Sequence, residues 1–165
     1  DPAVTANTDS DMTGIVVAGI DVNGVAYVLE DHTDRYTPQQ WASKAIELYR
    51  KHMADRIVAE KNQGGDMVRH TLHTEDENVP VKLVHASRGK MARAEPVSAL
   101  YEQGKVKHVK GLNDLEDQMV QWEPLGSTGS PDRLDAMVWA ITDLSLNGYA
   151  KPQLVLAYSN AKGLK

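Results

Sequence analysis

"TGIVVAGIDVNGVAYVLED", residues 13–31, sets the architecture. Two β-branched and apolar runs flank Asn23-Gly24, the dipeptide that best tolerates the positive φ angles of a type I′ turn, so the stretch predicts an antiparallel hairpin. Beyond it the period changes. Thr37-Pro38-Gln39-Gln40 supplies an N-cap, a proline at the first helical position and a glutamine at the third, and Trp41, Ala45, Ile46 and Tyr49 recur at helical spacing. These signals predict a helix from Pro38 to His52.

The alternation continues along the chain. "RIVAE", residues 56–60, reads as a short buried strand ending on Glu60, and Gly64-Gly65 leads into a polar helix with Met67, Val68 and Leu72. "VKLVHA" is a further strand, followed by the helix "RAEPVSALYEQG" with Pro96 in its first turn and Gly104 at its C-terminal cap. "KVKHV" predicts a short strand, and Asn113 with Glu116 a capping box ahead of Leu115, Met119 and Trp122. Ser130 and Pro131 then open the helix "SPDRLDAMVWAITDL". A hairpin followed by alternating helices and strands predicts a mixed α/β sheet flanked by helices. One domain is expected over residues 1–148, with residues 149–165, which show no clear period, set apart as a C-terminal tail.

Composition narrows the function classes. A chain of 165 residues with 41% hydrophobic content is long enough to bury one core. It has no cysteine, which excludes disulfides, thiolate metal sites and cysteine nucleophiles, and fits a reducing compartment. No apolar run approaches the roughly 18 to 20 residues of a membrane span, and no signal-peptide pattern opens the chain, so a soluble, intracellular protein is expected. The formal charge of -5 argues against broad basic faces coating nucleic acid, while leaving room for local contacts beside an acidic metal site.

The last helix poses the chemical question. Leu134, Val138 and Ile141 form an apolar stripe, and Asp135, Trp139 and Thr142 line the strip beside it. Asp132 in the first turn suits the helix dipole. Asp135 has no such explanation: an unpaired carboxylate against the buried side costs several kcal/mol, so a cation or basic partner is expected there. Arg133 points elsewhere.

Four segments, "DPAVTANTDSDMTGIVVAG", "DRIVAEKNQGG", "RGKMARAEPVSALYEQGKV" and "SPDRLDAMVWAITDL", taken in this order, resemble the C-terminal nuclease domain of the large terminase subunits of tailed bacteriophages. The resemblance runs from Asp1 to about Leu146. It implies an RNase H-like fold and a metal-dependent endonuclease that cuts concatemeric double-stranded viral DNA during packaging, in the cytoplasm of the bacterial host. It also implies an ATPase domain, whose phosphate-binding pattern G-x-x-x-x-G-K-[ST] does not occur in this sequence. Implied partners are DNA, the portal protein and the small terminase subunit.

Carried over by position, the family's acidic triad falls on Asp1, Glu60 and Asp135, with Asp132 as a fourth candidate. Hard divalent cations prefer such oxygen ligands, and two Mg²⁺ or Mn²⁺ ions are the implied cofactors. In RNase H-like folds an apolar first strand precedes the first aspartate. Here no residue precedes Asp1: either the first strand is missing, in which case the sheet would lose a central member, or the resemblance is misaligned at the N-terminus. Asp9 and Asp11 are substitutes, although loops of this composition are commonly solvated turns.

Several residues are candidates for supporting roles. The resemblance suggests that Lys90 and Arg93 approach phosphate, with Arg88 in the same basic cluster; a solvated helix start is the ordinary reading. Lys61 and Asn62 flank Glu60 and are candidates to order it. His85 is a candidate near the attacking water, against the commoner role of a hydrogen-bonded strand-end histidine. His70 and His73 lack a third ligand, and Trp41, Trp122 and Trp139 read as packing. Two other functions stay open: another RNase H-like nuclease such as a junction resolvase, and a non-catalytic module docking on portal or DNA.

Overall fold

The computed structural model describes residues 12–61, 66–126, 130–148 and 152–160. The chain runs β1 (Thr13–Ile20), β2 (Ala26–Asp31), α1 (Pro38–Lys51), β3 (Arg56–Glu60), α2 (Met67–Glu75), β4 (Val81–Val84), α3 (Lys90–Glu102), β5 (Val106–His108), α4 (Asn113–Gln121), α5 (Asp132–Ile141), a π-helical turn (Thr142–Leu146) and β6 (Gln153–Asn160). The strands form one mixed sheet in the order β4-β3-β6-β1-β2-β5. β1 pairs antiparallel with β2 and β6, while β3 runs parallel to both β4 and β6.

Each face of the sheet has its own core. Ile15, Val17, Ile57, Ala59, Leu156 and Tyr158 pack against Trp41, Ala45, Ile46 and Leu48 of α1 and Leu72 of α2. Val16, Ala18, Val58, Val155 and Ala157 alternate to the other face, under Val97 of α3, Leu115 of α4 and most of α5. Between the sheet below and α3 and α4 outside, α5 is buried on nearly every side, which explains an apolar surface wider than one stripe.

The hairpin and first helix form where predicted. Thr37 and Gln40 make both halves of a capping box on α1. The hairpin turn differs in type: Gly24 has φ 83, whereas Asn23 is not among the residues with positive φ, so the turn is not type I′. The Asp21 carboxylate shapes it instead, accepting from the Asn23 and Val25 N–H groups at 2.9 Å. α3 begins at Lys90, which places Pro96 inside the helix and not in its first turn. Gly104, at φ 69, closes that helix as predicted. Asn113 lies within α4, and Leu112 occupies the cap without a side-chain hydrogen bond, so the predicted capping box does not form there.

The main correction concerns residues 149–165. Within the stretch set apart as a tail, Gln153–Asn160 is a full-length partner of β1, with register from Thr13↔Asn160 to Ile20↔Gln153. It is also the parallel neighbour of β3. β6 thus occupies an interior position of the sheet, between β3 and β1, so the sheet has a central member there. A strand covered on both faces reads as a continuous apolar run, here "LVLAY", without the alternation that reveals a half-exposed strand.

Candidate functional site

Three neighbouring strands place a row of small or acidic residues beneath the N-terminal half of α5. Alternation along β3 turns Glu60 to the same face as Val58, and alternation along β6 turns Ser159 to the same face as Ala157. Gly14 of β1 sits opposite Ser159 in register. Having no side chain, it lets α5 approach closely: a Cβ there would lie 2.1 Å from the Asp132 carbonyl oxygen. Asp135 descends from α5 into this space.

Glu60, Asp135 and Ser159 have relative exposures of 5%, 4% and 0%. The Ser159 hydroxyl lies 2.8 Å from Glu60 Oε2 and 3.2 Å from Asp135 Oδ2. It carries one proton for two carboxylates, so both cannot be fully satisfied at once. The other oxygen of Asp135 accepts from Arg93 Nη2 at 2.6 Å, in an ion pair that is almost wholly buried. Arg93 also donates to the Arg88 carbonyl and lies 4.9 Å from the Trp139 ring centroid, within cation–π range. The basic partner demanded by Asp135 is therefore supplied from the start of α3.

Lys90 completes the basic side. Its ammonium stands 3.9 Å from Asp135 Oδ2 and donates to Ser130 Oγ at 2.9 Å, and Ser130 in turn donates to Asp132 Oδ1 at 2.7 Å. Asp132 is buried beside the cluster without completing it: among the described residues no three histidine or acidic side chains are close enough together to hold a metal. Arg133 turns away, to Asp31 at 2.6 Å. On the opposite face Tyr158 registers the local field. Burial pushes its phenol up to about 12 despite a hydrogen bond with Asn160, and the Glu60 and Asp132 charges add to the rise.

The remaining candidates divide clearly. Lys61 is exposed at the end of β3, its N–H bonded to the Val84 carbonyl. His85 and Arg88 are exposed between β4 and α3. His73 bonds to the Val79 carbonyl. Asp1, Asp9, Asp11 and Asn62 lie outside the described residues. Ser159 was not anticipated, and its only signal was a polar residue closing an apolar run.

The described donors suit one hard divalent cation. Two carboxylates and a hydroxyl offer only oxygen, and Mg²⁺ is commonly held through one or two carboxylates while it keeps several waters. A model of the terminase RNase H-like domain matches residues 1–144. The chain belongs to that family. The mixed six-stranded sheet with its flanking helices is an RNase H-like fold, and family membership assigns the domain to the nuclease type found in phage DNA-packaging terminases. Comparison with curated proteins and with solved structures returned no match. β6 and Ser159 lie beyond the residues that the family model covers. Among the described residues, no helix is long and apolar enough to cross a membrane.

Proposed function

We propose that the chain is the metal-dependent endonuclease domain of a phage large terminase, hydrolysing phosphodiester bonds of concatemeric double-stranded viral DNA with little sequence preference. Portal protein and small terminase subunit are its packaging partners in the cytoplasm of the bacterial host. The observation that carries this reading is the meeting of Glu60 and Asp135, distant in sequence, in a buried pair with Arg93 and Lys90 alongside.

Glu60 and Asp135 would hold divalent cations, with Asp1 as the third acidic ligand of a two-metal site. Bound Mg²⁺ or Mn²⁺ ions supply the charge that activates water on one side of the scissile phosphate and stabilises the leaving oxygen on the other. The chain's own contribution is geometric and electrostatic. Arg93 fixes one oxygen of Asp135 and leaves the other to the Ser159 hydroxyl, which also bonds Glu60. Lys90, Arg88 and Lys61 border the site with positive charge for the DNA backbone, so an acidic protein meets DNA through a small local patch, and its affinity should fall steeply with salt.

The test is cleavage of plasmid DNA by the purified domain in Mg²⁺ or Mn²⁺, with EDTA controls and the Glu60→Ala and Asp135→Ala variants. Both substitutions should abolish metal-dependent cutting. Cutting that survives either one refutes the assignment. Preference for four-way junctions over linear duplex would shift the reading to a resolvase, and metal binding without hydrolysis to a docking module.

A further inference from the structure

Glu60 is a buried carboxylate whose one side-chain hydrogen bond within the described structure comes from a neutral group, the Ser159 hydroxyl. That hydroxyl is shared with Asp135, and Arg93 reaches only the far oxygen of Asp135. Two carboxylate oxygens therefore converge on one neutral oxygen, and the Lys90 ammonium comes only to 3.9 Å from Asp135 Oδ2, spending its hydrogen bond on Ser130 Oγ. Burial of this kind is costly unless positive charge joins the cluster. No third carboxylate or imidazole stands close enough among the described residues to complete a metal site.

We infer that Ser159 Oγ is the third protein oxygen of the cation site formed by Glu60 and Asp135. The inference rests on the metal-dependent reading proposed above and adds a ligand to it. A serine hydroxyl has two lone pairs and one proton, so it can face a cation with a lone pair while still donating to one carboxylate. Serine and threonine hydroxyls take this role towards Mg²⁺ in phosphate-binding loops. The placement is also rigid. β6 is hydrogen bonded to β1 on one side and to β3 on the other, and Ser159 is fully buried, so its oxygen is held where the two carboxylates meet.

Ligand replacement tests this without reference to catalysis. Mn²⁺ binding to the DNA-free domain is measured by calorimetry and by loss of the free-ion paramagnetic resonance signal, for the unmodified protein, Ser159→Ala, Ser159→Cys and the Glu60→Gln/Asp135→Asn double variant, each checked for folding by circular dichroism. Ser159→Ala should bind Mn²⁺ on the order of tenfold more weakly, and the double variant should not bind it, as expected when metal-site support is removed. Ser159→Cys, in a chain that has no other cysteine, should lose Mn²⁺ affinity, gain Cd²⁺ affinity and develop the ultraviolet thiolate-to-cadmium absorption band. A purely structural serine would not produce that band. Should Ser159→Ala fail to fold, the cysteine variant decides. Unchanged Mn²⁺ affinity in Ser159→Ala, or no cadmium band in Ser159→Cys, overturns the role of Ser159 alone. No Mn²⁺ binding by the unmodified protein overturns the metal-dependent reading itself.

Discussion

Gly14→Ala is the smallest change that should disturb this site. The added Cβ would stand 2.1 Å from the Asp132 carbonyl oxygen, 2.8 Å from its carbonyl carbon and 3.0 Å from Ala136 Cβ. The first two are backbone atoms in the first turn of α5 and cannot rotate aside. Restoring a van der Waals distance requires α5 to lift by on the order of 1 Å. Overpacking of this kind costs about 1–3 kcal/mol, and a rigid backbone opponent argues for the upper end. The same lift draws Asp135 away from Glu60 and Ser159, and a displacement near 1 Å can lower a catalysed rate by about 100-fold. Urea unfolding gives the stability change, and plasmid cleavage by the folded fraction gives the rate. Gly19→Ala, in the same strand but with its nearest opposing atom at 3.3 Å, is the control and should lose less than about 1 kcal/mol. A Gly14→Ala protein as stable and active as its parent would refute the close approach of α5 to β1.

Three further outcomes are expected. Arg93→Ala strands a buried carboxylate and should cost about 3–5 kcal/mol in urea unfolding, part of it regained when Mn²⁺ is added; Arg93→Lys should not restore the loss, since an ammonium cannot reproduce the fork. Deleting residues 149–165 removes the central strand and should abolish cooperative unfolding and native near-ultraviolet dichroism, whereas a folded product would restore the tail reading. Burial tends to raise the pKa of Glu30, but hydrogen bonds from Lys51, His52 and His32 outweigh it and hold the value at about 2, below the ordinary 4.5. A depressed carboxylate stabilises the fold above its unfolded pKa and loses that contribution as pH falls through the folded one. The stability gap between the parent and Glu30→Gln should therefore be complete above pH 4.5 and shrink towards pH 2; a gap constant across that window would contradict the assignment.

What could be read in advance depended on how local the determining physics was. The capping box at Thr37 and Gln40 and the strand ending at Glu60 involve residues close in sequence, and all of them stand as predicted. Asp135 was recognisable because a carboxylate against the buried side of a helix has to be compensated. The partner that compensates it was already a phosphate-contact candidate, but Arg93 lies 42 residues away and only tertiary packing reveals the pair. β6 escaped for the opposite reason: burial on both faces erases the period that marks a strand. Its polar end, Ser159, was therefore placed in a tail, although it lies at the centre of the cluster. The start of α3 was obscured by Pro96, a residue that more often opens a helix than sits inside one.

The position of β6 also governs when the molecule can assemble. It separates β3 and β4 from β1, β2 and β5, so the two halves of the sheet have no hydrogen-bonded edge in common until it inserts. Every other strand and helix among the described residues precedes it in the sequence. Its pairing with β1 spans nearly the whole chain, a non-local closure of the kind that slows folding. During synthesis Glu60 and Asp135 emerge before Ser159, and the cluster cannot close around all three until β6 has left the ribosome. Order of emergence therefore makes the joining of the two halves of the sheet, and the cluster along that seam, a late event for the described elements.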